Sequence, residues 1–370
     1  MVNRLQQLHD AGVALWLDFI ERTMLHNGDL AKRIKNDALT GMTSNPIIFE
    51  KALAEGSAYD AQVTNAPRNL TPWQLFELVA TTDVRDACDA FRGVYDRTKA
   101  DDGYVSIEVS PGAAHDAKNT LEEARRLWKT VDRPNVLVKI PGTVEGALAV
   151  RQCIADGINI NITLLFSLEA HDRVIDAYIS GLEDRAKKNL PIDTVYSVAS
   201  FFVSRVDSEV DKRIDAAKKG ADLKGKIAIA NAKLAYQLFL ERFSSARWKA
   251  LESKGARVQK PLWASTSTKN PAYRDVMYVE ELIGPRSINT LPPQTIEAFR
   301  DHGNTRRTID DAPDQAKREI EQLEKLGISM KDVTDKLLVE GLASFQKSFD
   351  SLIAGLEKKS KQLGRELAAR

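Results

Sequence analysis

Residues 134–143 read PNVLVKIPGT, and the lysine in the middle of this run decides how the chain is read. Val136, Leu137, Val138 and Ile140 flank Lys139 with aliphatic, mostly β-branched neighbours, the composition of a strand buried on both faces as in a parallel sheet. A lysine at such a position needs a reason, because burial removes the hydration of its ammonium group. It either snorkels from a strand end, pairs with a carboxylate, or serves as a nucleophile.

Outward from this run, short apolar or β-branched segments alternate with longer amphipathic ones. Eight segments read as strands: Ala14–Phe19, Gly41–Ile47, Tyr104–Val109, Val136–Ile140, Ile158–Phe166, Tyr196–Val203, Pro261–Thr266 and Met277–Leu282. A βαβα rhythm of this kind predicts a parallel sheet covered by helices, and eight strands predict a (β/α)8 barrel. The competing doubly wound sheet lacks support, since no strand leads into a GxGxxG or GxxxxGK[ST] phosphate loop. Gly142 and Gly146 in PGTVEGALAV read as a strand-to-helix turn. Without a repeat or low-complexity linker, residues 1–370 are expected to form one domain. Val333, Leu337, Phe345, Phe349, Leu352 and Leu356 recur at helical spacing, predicting an amphipathic helix over Asp332–Leu356 packed on the body. The basic stretches KKGADLKGK and KKSKQLGRELAAR read as solvated surface.

Composition narrows the partners. The 53 basic and 52 acidic residues nearly cancel, leaving no electrostatic footprint for nucleic acid or an anionic membrane, so small molecules are expected. His9 and Asp10 interrupt the N-terminal stretch where a signal peptide needs an apolar core, and no run approaches the ~18 apolar residues of a membrane span. Cys88 and Cys153 form neither a disulfide framework nor a thiolate zinc pair. A cytoplasmic protein is expected. The five histidines, His9, His26, His115, His171 and His302, are scattered without ligand spacing, so no metal is expected.

Residues two apart in a strand share a face, and by that parity polar residues converge. Thr43 pairs with Asn45; Ser106 with Glu108 and Ser110; Asn161 with Thr163; and Ser200 with Phe202. Asp18, Lys139 and Ser265 each add one polar group near a strand end. The carboxyl ends of barrel strands are where chemistry is assembled from several segments. Desolvation disfavours an ammonium ion and exposes a free amine able to attack a carbonyl, while a carboxyl group in an apolar strand shifts towards its neutral form. An amine and a carboxyl on adjacent strands can therefore form an imine and relay its protons. The alternative for Asp18 and Glu108 is a buried ion pair with Lys139 or Arg205.

At these positions the sequence resembles the transaldolase family of Schiff-base enzymes. The matching stretches are WLDF at Asp18, GMTSNP at Asn45, SIEVSP at Glu108, VLVKIPGT at Lys139, NITLLFS from Asn161, ASFFVSRVD from Ser200 and WASTSTKNP at Ser265. The resemblance implies a class I aldolase barrel in which Lys139 forms an imine with a ketose phosphate, fructose 6-phosphate or sedoheptulose 7-phosphate, without cofactor. It implies that Glu108 and Thr163 handle the water of imine formation and that Asp18 accepts a proton as the C3–C4 bond breaks. A dihydroxyacetone unit would pass to erythrose 4-phosphate or glyceraldehyde 3-phosphate. Asn45, Asn161 and Ser200 would hold its hydroxyls, with Thr43 nearby.

Arg205 matches the family's phosphate-binding arginine, with an ion pair to Asp207 or Glu209 as the alternative, and Ser265 would add a phosphate hydrogen bond. Many relatives carry arginine shortly after this serine; here Lys269 is the nearest cation, in a longer loop. Phe202 stands where related fructose 6-phosphate aldolases carry tyrosine. Phenylalanine has no proton to give a carbanion, which favours transfer over simple aldol cleavage. The alternatives are a fructose 6-phosphate aldolase and a non-catalytic phosphosugar-binding protein. Leu182–Tyr196 and the segment after Asn289 match the family less obviously. A monomer or homodimer is expected, with functional association to a glucose 6-phosphate isomerase, which some relatives carry as a fused domain that this chain is too short to hold.

Overall fold

The computed structural model describes residues 3–54 and 56–368. Eight parallel strands close into a barrel in sequence order. They are β1 (Val13–Asp18), β2 (Leu39–Thr43), β3 (Val105–Glu108), β4 (Val136–Pro141), β5 (Ile160–Leu165), β6 (Ser197–Phe202), β7 (Lys260–Ala264) and β8 (Ser287–Leu291). β4 is buried along its whole length, as its aliphatic run requires when helices cover one face and the barrel interior fills the other. The register sets Glu108 of β3 beside Lys139 of β4, Lys139 beside Asn161 of β5, and Asp18 of β1 beside Thr43 of β2.

The predicted and observed strands agree to within two residues at each end for six of the eight, and two differ by more. Met277–Leu282 is not the eighth strand: Met277–Glu280 forms a short helix, and β8 lies further on at Ser287–Leu291. A parallel strand must begin at the bottom of the barrel, and the crossover that carries the chain there from the top of β7 takes a dozen residues or more. Tyr278 is held in that crossover, its hydroxyl donating to Asp207 Oδ2 at 2.8 Å. The second strand also ends earlier than Ile47, because Pro46 opens the helix Pro46–Ala54. Asn45 Oδ1 accepts from the Ile48 amide at 3.0 Å, the bond expected at a helix N-terminus.

The stretch after β4 is the expected turn. Thr143 caps the helix Val144–Asp156 by accepting from the Gly146 amide at 2.9 Å. A Cβ on Gly146 would stand 2.0 Å from the Pro141 carbonyl oxygen, so this glycine allows the helix to start directly against the strand that bears Lys139.

The C-terminal helix runs over Met330–Gln362, longer than the predicted Asp332–Leu356. Val333, Leu337, Phe345, Leu352 and Leu356 are buried, while Phe349 is half-buried. The basic tail is not simply solvated. Lys359 pairs with Asp60 at 2.8 Å, Arg365 donates to the carbonyls of Ala66 and Pro67, and the Ala368 amide donates to Leu70 O. Ala369 and Arg370, the last residues of that stretch, lie outside the described residues. In KKGADLKGK most side chains are exposed or half-exposed, whereas Leu223 is buried.

Gly146→Ala should destabilise the fold by about 1–3 kcal/mol, because the clash is with backbone that cannot rotate away. Urea unfolding would show this as a lower midpoint with an unchanged slope; an unchanged midpoint would mean that the helix start moves freely.

Candidate active site

A cavity of about 430 Å³ opens at the carboxyl ends of the strands. It gathers Asp18, Thr43, Asn45, Lys139, Thr163, Ser200, Phe202, Arg205, Ser265 and Lys269, every predicted site residue except Glu108 and Asn161. Residues spread over 252 positions of sequence, from Asp18 to Lys269, thus meet because strand ends converge on one mouth.

Lys139 is 5% exposed, and its Nζ donates to Ser44 O at 3.1 Å and to Glu108 Oε2 at 3.3 Å. The buried ion pair and the nucleophile reading are therefore compatible: Glu108 holds the amine from behind while the amine faces the cavity. Burial pushes the Glu108 carboxyl above the usual glutamate range, the Lys139 charge pulls it back, and the Asp18 charge adds to the rise. Burial likewise raises Asp18, opposed first by Lys139, then by the Thr43 hydrogen bond, Arg205 and Lys269. Thr43 Oγ1 donates to Asp18 Oδ1 at 2.8 Å.

Asn161 lies beneath the cavity, fully buried. Its Nδ2 donates to Ser106 Oγ at 3.0 Å and its Oδ1 accepts from Ser200 Oγ at 2.7 Å, so it fixes Ser200 from below. Ser110 turns away from the site, because its hydroxyl and amide both donate to Glu123 outside the barrel. Thr163 lines the cavity with a buried Oγ1 that has no hydrogen-bond partner among the described residues. The register between β5 and β6 shifts just here, between Ile162 and Leu165, and Leu164 takes a φ of 58°. Such a left-handed leucine is strained by roughly 1–2 kcal/mol. The shift lies at the place where Thr163 reaches the cavity.

Arg205 has no carboxylate within ion-pair distance among the described residues; its guanidinium lies 5.3 Å from the Phe202 ring centroid. Its alternative partners are engaged elsewhere, Asp207 with Tyr278 and the Ala228 amide, Glu209 with Arg213 and Lys336. Burial lowers the Lys269 pKa, and the charge of Arg205, which lines the same cavity, lowers it further. Ser265 takes a φ of 55° after β7 and its hydroxyl lies 3.0 Å from Ser204 Oγ.

Several lining residues escaped the sequence reading. Thr290 belongs to the misplaced eighth strand, and its hydroxyl lies 2.6 Å from that of Thr43. Pro292, Pro293 and Gln294 form rim where no role had been assigned. The helix Pro46–Ala54 contributes Lys51, and the C-terminal helix contributes Phe345. Among the described lining residues, Lys51, Lys139, Arg205 and Lys269 face one carboxylate, Asp18, in a chain whose net charge is only +1. A cleft with this excess of positive charge attracts anions.

The family model for transaldolase/fructose-6-phosphate aldolase matches residues 15–356. The chain belongs to this family. A transaldolase of Thermobifida fusca is 48% identical over 357 residues, covering 95% of this chain and 97% of the relative. Transaldolases of Trichodesmium erythraeum and Frankia alni are 46% and 45% identical, each over at least 98% of both chains. The aldolase-type barrel expected from the motifs is therefore the family's fold in this chain. Among the described residues no cluster of three histidine, cysteine or acidic side chains is placed to hold a metal, and no helix is long and apolar enough to cross a membrane.

The buried pair makes a pH-dependent prediction. In Lys139→Met the attraction that lowers the Glu108 pKa is gone, so the folded carboxyl should hold its proton well above the unfolded value. Between those two pKa values the folded state binds more protons, so stability is full below the unfolded pKa and falls as pH rises, by about 1.4 kcal/mol per pH unit across that window. Chemical unfolding should therefore find this variant, relative to wild type, more stable near about pH 5 than near about pH 8. A difference from wild type that does not change with pH would contradict the account of Glu108.

Proposed function

We propose that this chain is a transaldolase that moves a dihydroxyacetone unit from a ketose phosphate, fructose 6-phosphate or sedoheptulose 7-phosphate, to an aldose phosphate, glyceraldehyde 3-phosphate or erythrose 4-phosphate. The observation that carries the reading is Lys139, a buried amine facing an electropositive cavity with Glu108 behind it and Asp18 lining the same space. Family membership and the relatives' activity point the same way.

In this reading the free amine of Lys139 attacks the C2 carbonyl. Glu108 in its neutral form gives the proton with which the C2 hydroxyl leaves as water, and the orphan hydroxyl of Thr163 holds that water. Asp18, ionised, takes the proton of the C4 hydroxyl; the C3–C4 bond breaks, its electrons pass into the iminium, and an aldose phosphate departs. The enamine left on Lys139 then adds to the incoming aldehyde by the same steps in reverse. Asn45 and Ser200 orient the bound fragment, Asn161 supports Ser200, and Arg205, Lys269 and Ser265 hold phosphate. Lys269 takes the place that arginine fills in many relatives, a point charge in place of a planar fork.

The family also contains aldolases that release the fragment. Phe202, 5.2 Å from the Phe166 ring and beneath Arg205, offers no proton to the enamine, so the fragment waits for an acceptor. Both cysteines are buried, with Cys153 pushed up to about 12 by burial, which suits free thiols in a cytoplasmic protein. A monomer or homodimer acting alongside a glucose 6-phosphate isomerase completes the proposal.

The test compares product formation from fructose 6-phosphate with and without erythrose 4-phosphate. Wild type should turn over only with the acceptor present. Phe202→Tyr should raise acceptor-independent release of dihydroxyacetone by roughly a hundredfold, the low end of what a placed general acid contributes, at the expense of transfer. Acceptor-independent release by the wild type would favour the aldolase reading, and an unchanged ratio in the variant would remove Phe202 from the argument.

A further inference from the structure

Strands β8 and β2 flank β1 in the closed barrel, so residues on their inner faces meet in front of the strand that carries Asp18. Thr290 of β8 and Thr43 of β2 do so, their hydroxyl oxygens 2.6 Å apart, and Thr43 Oγ1 lies 2.8 Å from Asp18 Oδ1. Thr290 and Thr43 are nearly fully buried. Proton counting fixes the direction of this chain. A carboxylate only accepts, and Thr43 has one hydroxyl proton; if that proton goes to Asp18, Thr43 can only accept from Thr290. The one arrangement that satisfies ionised Asp18 is therefore Thr290 to Thr43 to Asp18, each bond polarising the next.

We propose that Thr290 is a positioning residue which, through Thr43, holds Asp18 ionised and oriented as the base of the reaction, an inference that rests on the proposed role of Asp18. Thr290 supplies the proton that Thr43 accepts. Its site is held, since Trp16 of β1 pairs with Thr290 in register and Pro292 and Pro293 follow after Leu291. Other charges facing Asp18 are Lys139 on β4, Glu108 on β3, Arg205 at the start of the helix Ser204–Ala217, and Lys269 in the loop after β7. The three cations favour the carboxylate over the acid, but none is hydrogen-bonded to it. The threonine chain alone has the contact distance to set which oxygen faces substrate.

The test is the titration of Asp18 followed by carbon NMR of protein labelled at aspartate carboxyls, with Asp18→Asn identifying the signal, alongside the pH profile of kcat/KM. Thr290→Val, nearly isosteric, should raise the Asp18 midpoint and the acid limb together by about half to one pH unit, the worth of one net hydrogen bond. Thr290→Ser should leave both in place. Thr43→Val should shift them at least as far, and the double variant no further than Thr43→Val alone, because the two hydroxyls act in series. An Asp18 midpoint unmoved in Thr290→Val overturns the inference, as does a double variant that shifts by the sum of the singles. Should Thr290→Val fail to fold, the comparison of Thr290→Ser with Thr290→Ala gives the same decision. An acid limb that persists in Asp18→Asn would instead overturn Asp18 as the base while leaving the NMR result to decide the hydrogen-bond chain.

Discussion

An amine buried inside a barrel and held by a single carboxylate is the constraint on which the rest of this structure depends. Lys139 and Glu108 have side chains 6% and 5% exposed, 3.3 Å apart, on adjacent strands whose register sets them side by side. Removing one member of such a pair leaves a buried group uncompensated, a loss of about 3–5 kcal/mol unless that group changes its protonation. Burial therefore ties protonation to structure at this place, and a reaction that adds a carbonyl to the amine draws on the same coupling. The Ser44 carbonyl, at the turn between β2 and the helix Pro46–Ala54, supplies the second contact that fixes the amine.

Around this pair the site separates two electrostatic tasks. Low in the barrel, burial raises both carboxyls and Lys139 opposes the rise, so proton transfer has groups that change state within reach of one another. At the mouth, Arg205, Lys269 and Lys51 face the cavity without a carboxylate bonded to them among the described residues, an excess of positive charge that attracts anions. Phe202 sits between these levels, an apolar surface under the guanidinium with no proton of its own to donate. The C-terminal helix closes the assembly from above through Phe345, and its Gly341 approaches so closely that a Cβ there would meet Leu164 at 3.0 Å, over the irregular turn of backbone that bears Thr163.

How much of this was legible depended on whether a signal was local. Strand parity found Thr43, Thr163, Ser200 and Phe202, and position near a strand end found Asp18 and Lys139, because both signals are read from a strand's own residues, and all six line the cavity. Ser110 broke the parity because β3 ends at Glu108 and the chain beyond follows a hydrogen bond to Glu123. Thr290 was lost with its strand: Met277–Leu282 has the more strand-like composition, but SINTL lies between Gly284-Pro285 and Pro292-Pro293, turn signals that mark a short strand. Lys51 and Phe345 come from helices whose placement over the mouth is a tertiary result that no helical periodicity contains. The depth of Asn161 and Glu108 beneath the cavity also depends on partners in other strands.

The most direct test of the central claim is peptide mass spectrometry of the wild-type protein incubated with fructose 6-phosphate and borohydride, which reduces an imine to a stable amine. The account predicts one dihydroxyacetone-derived adduct, on Lys139. An adduct on another lysine, or none while binding of the sugar phosphate is independently measured, would contradict it and leave Lys139 as the structural partner of Glu108.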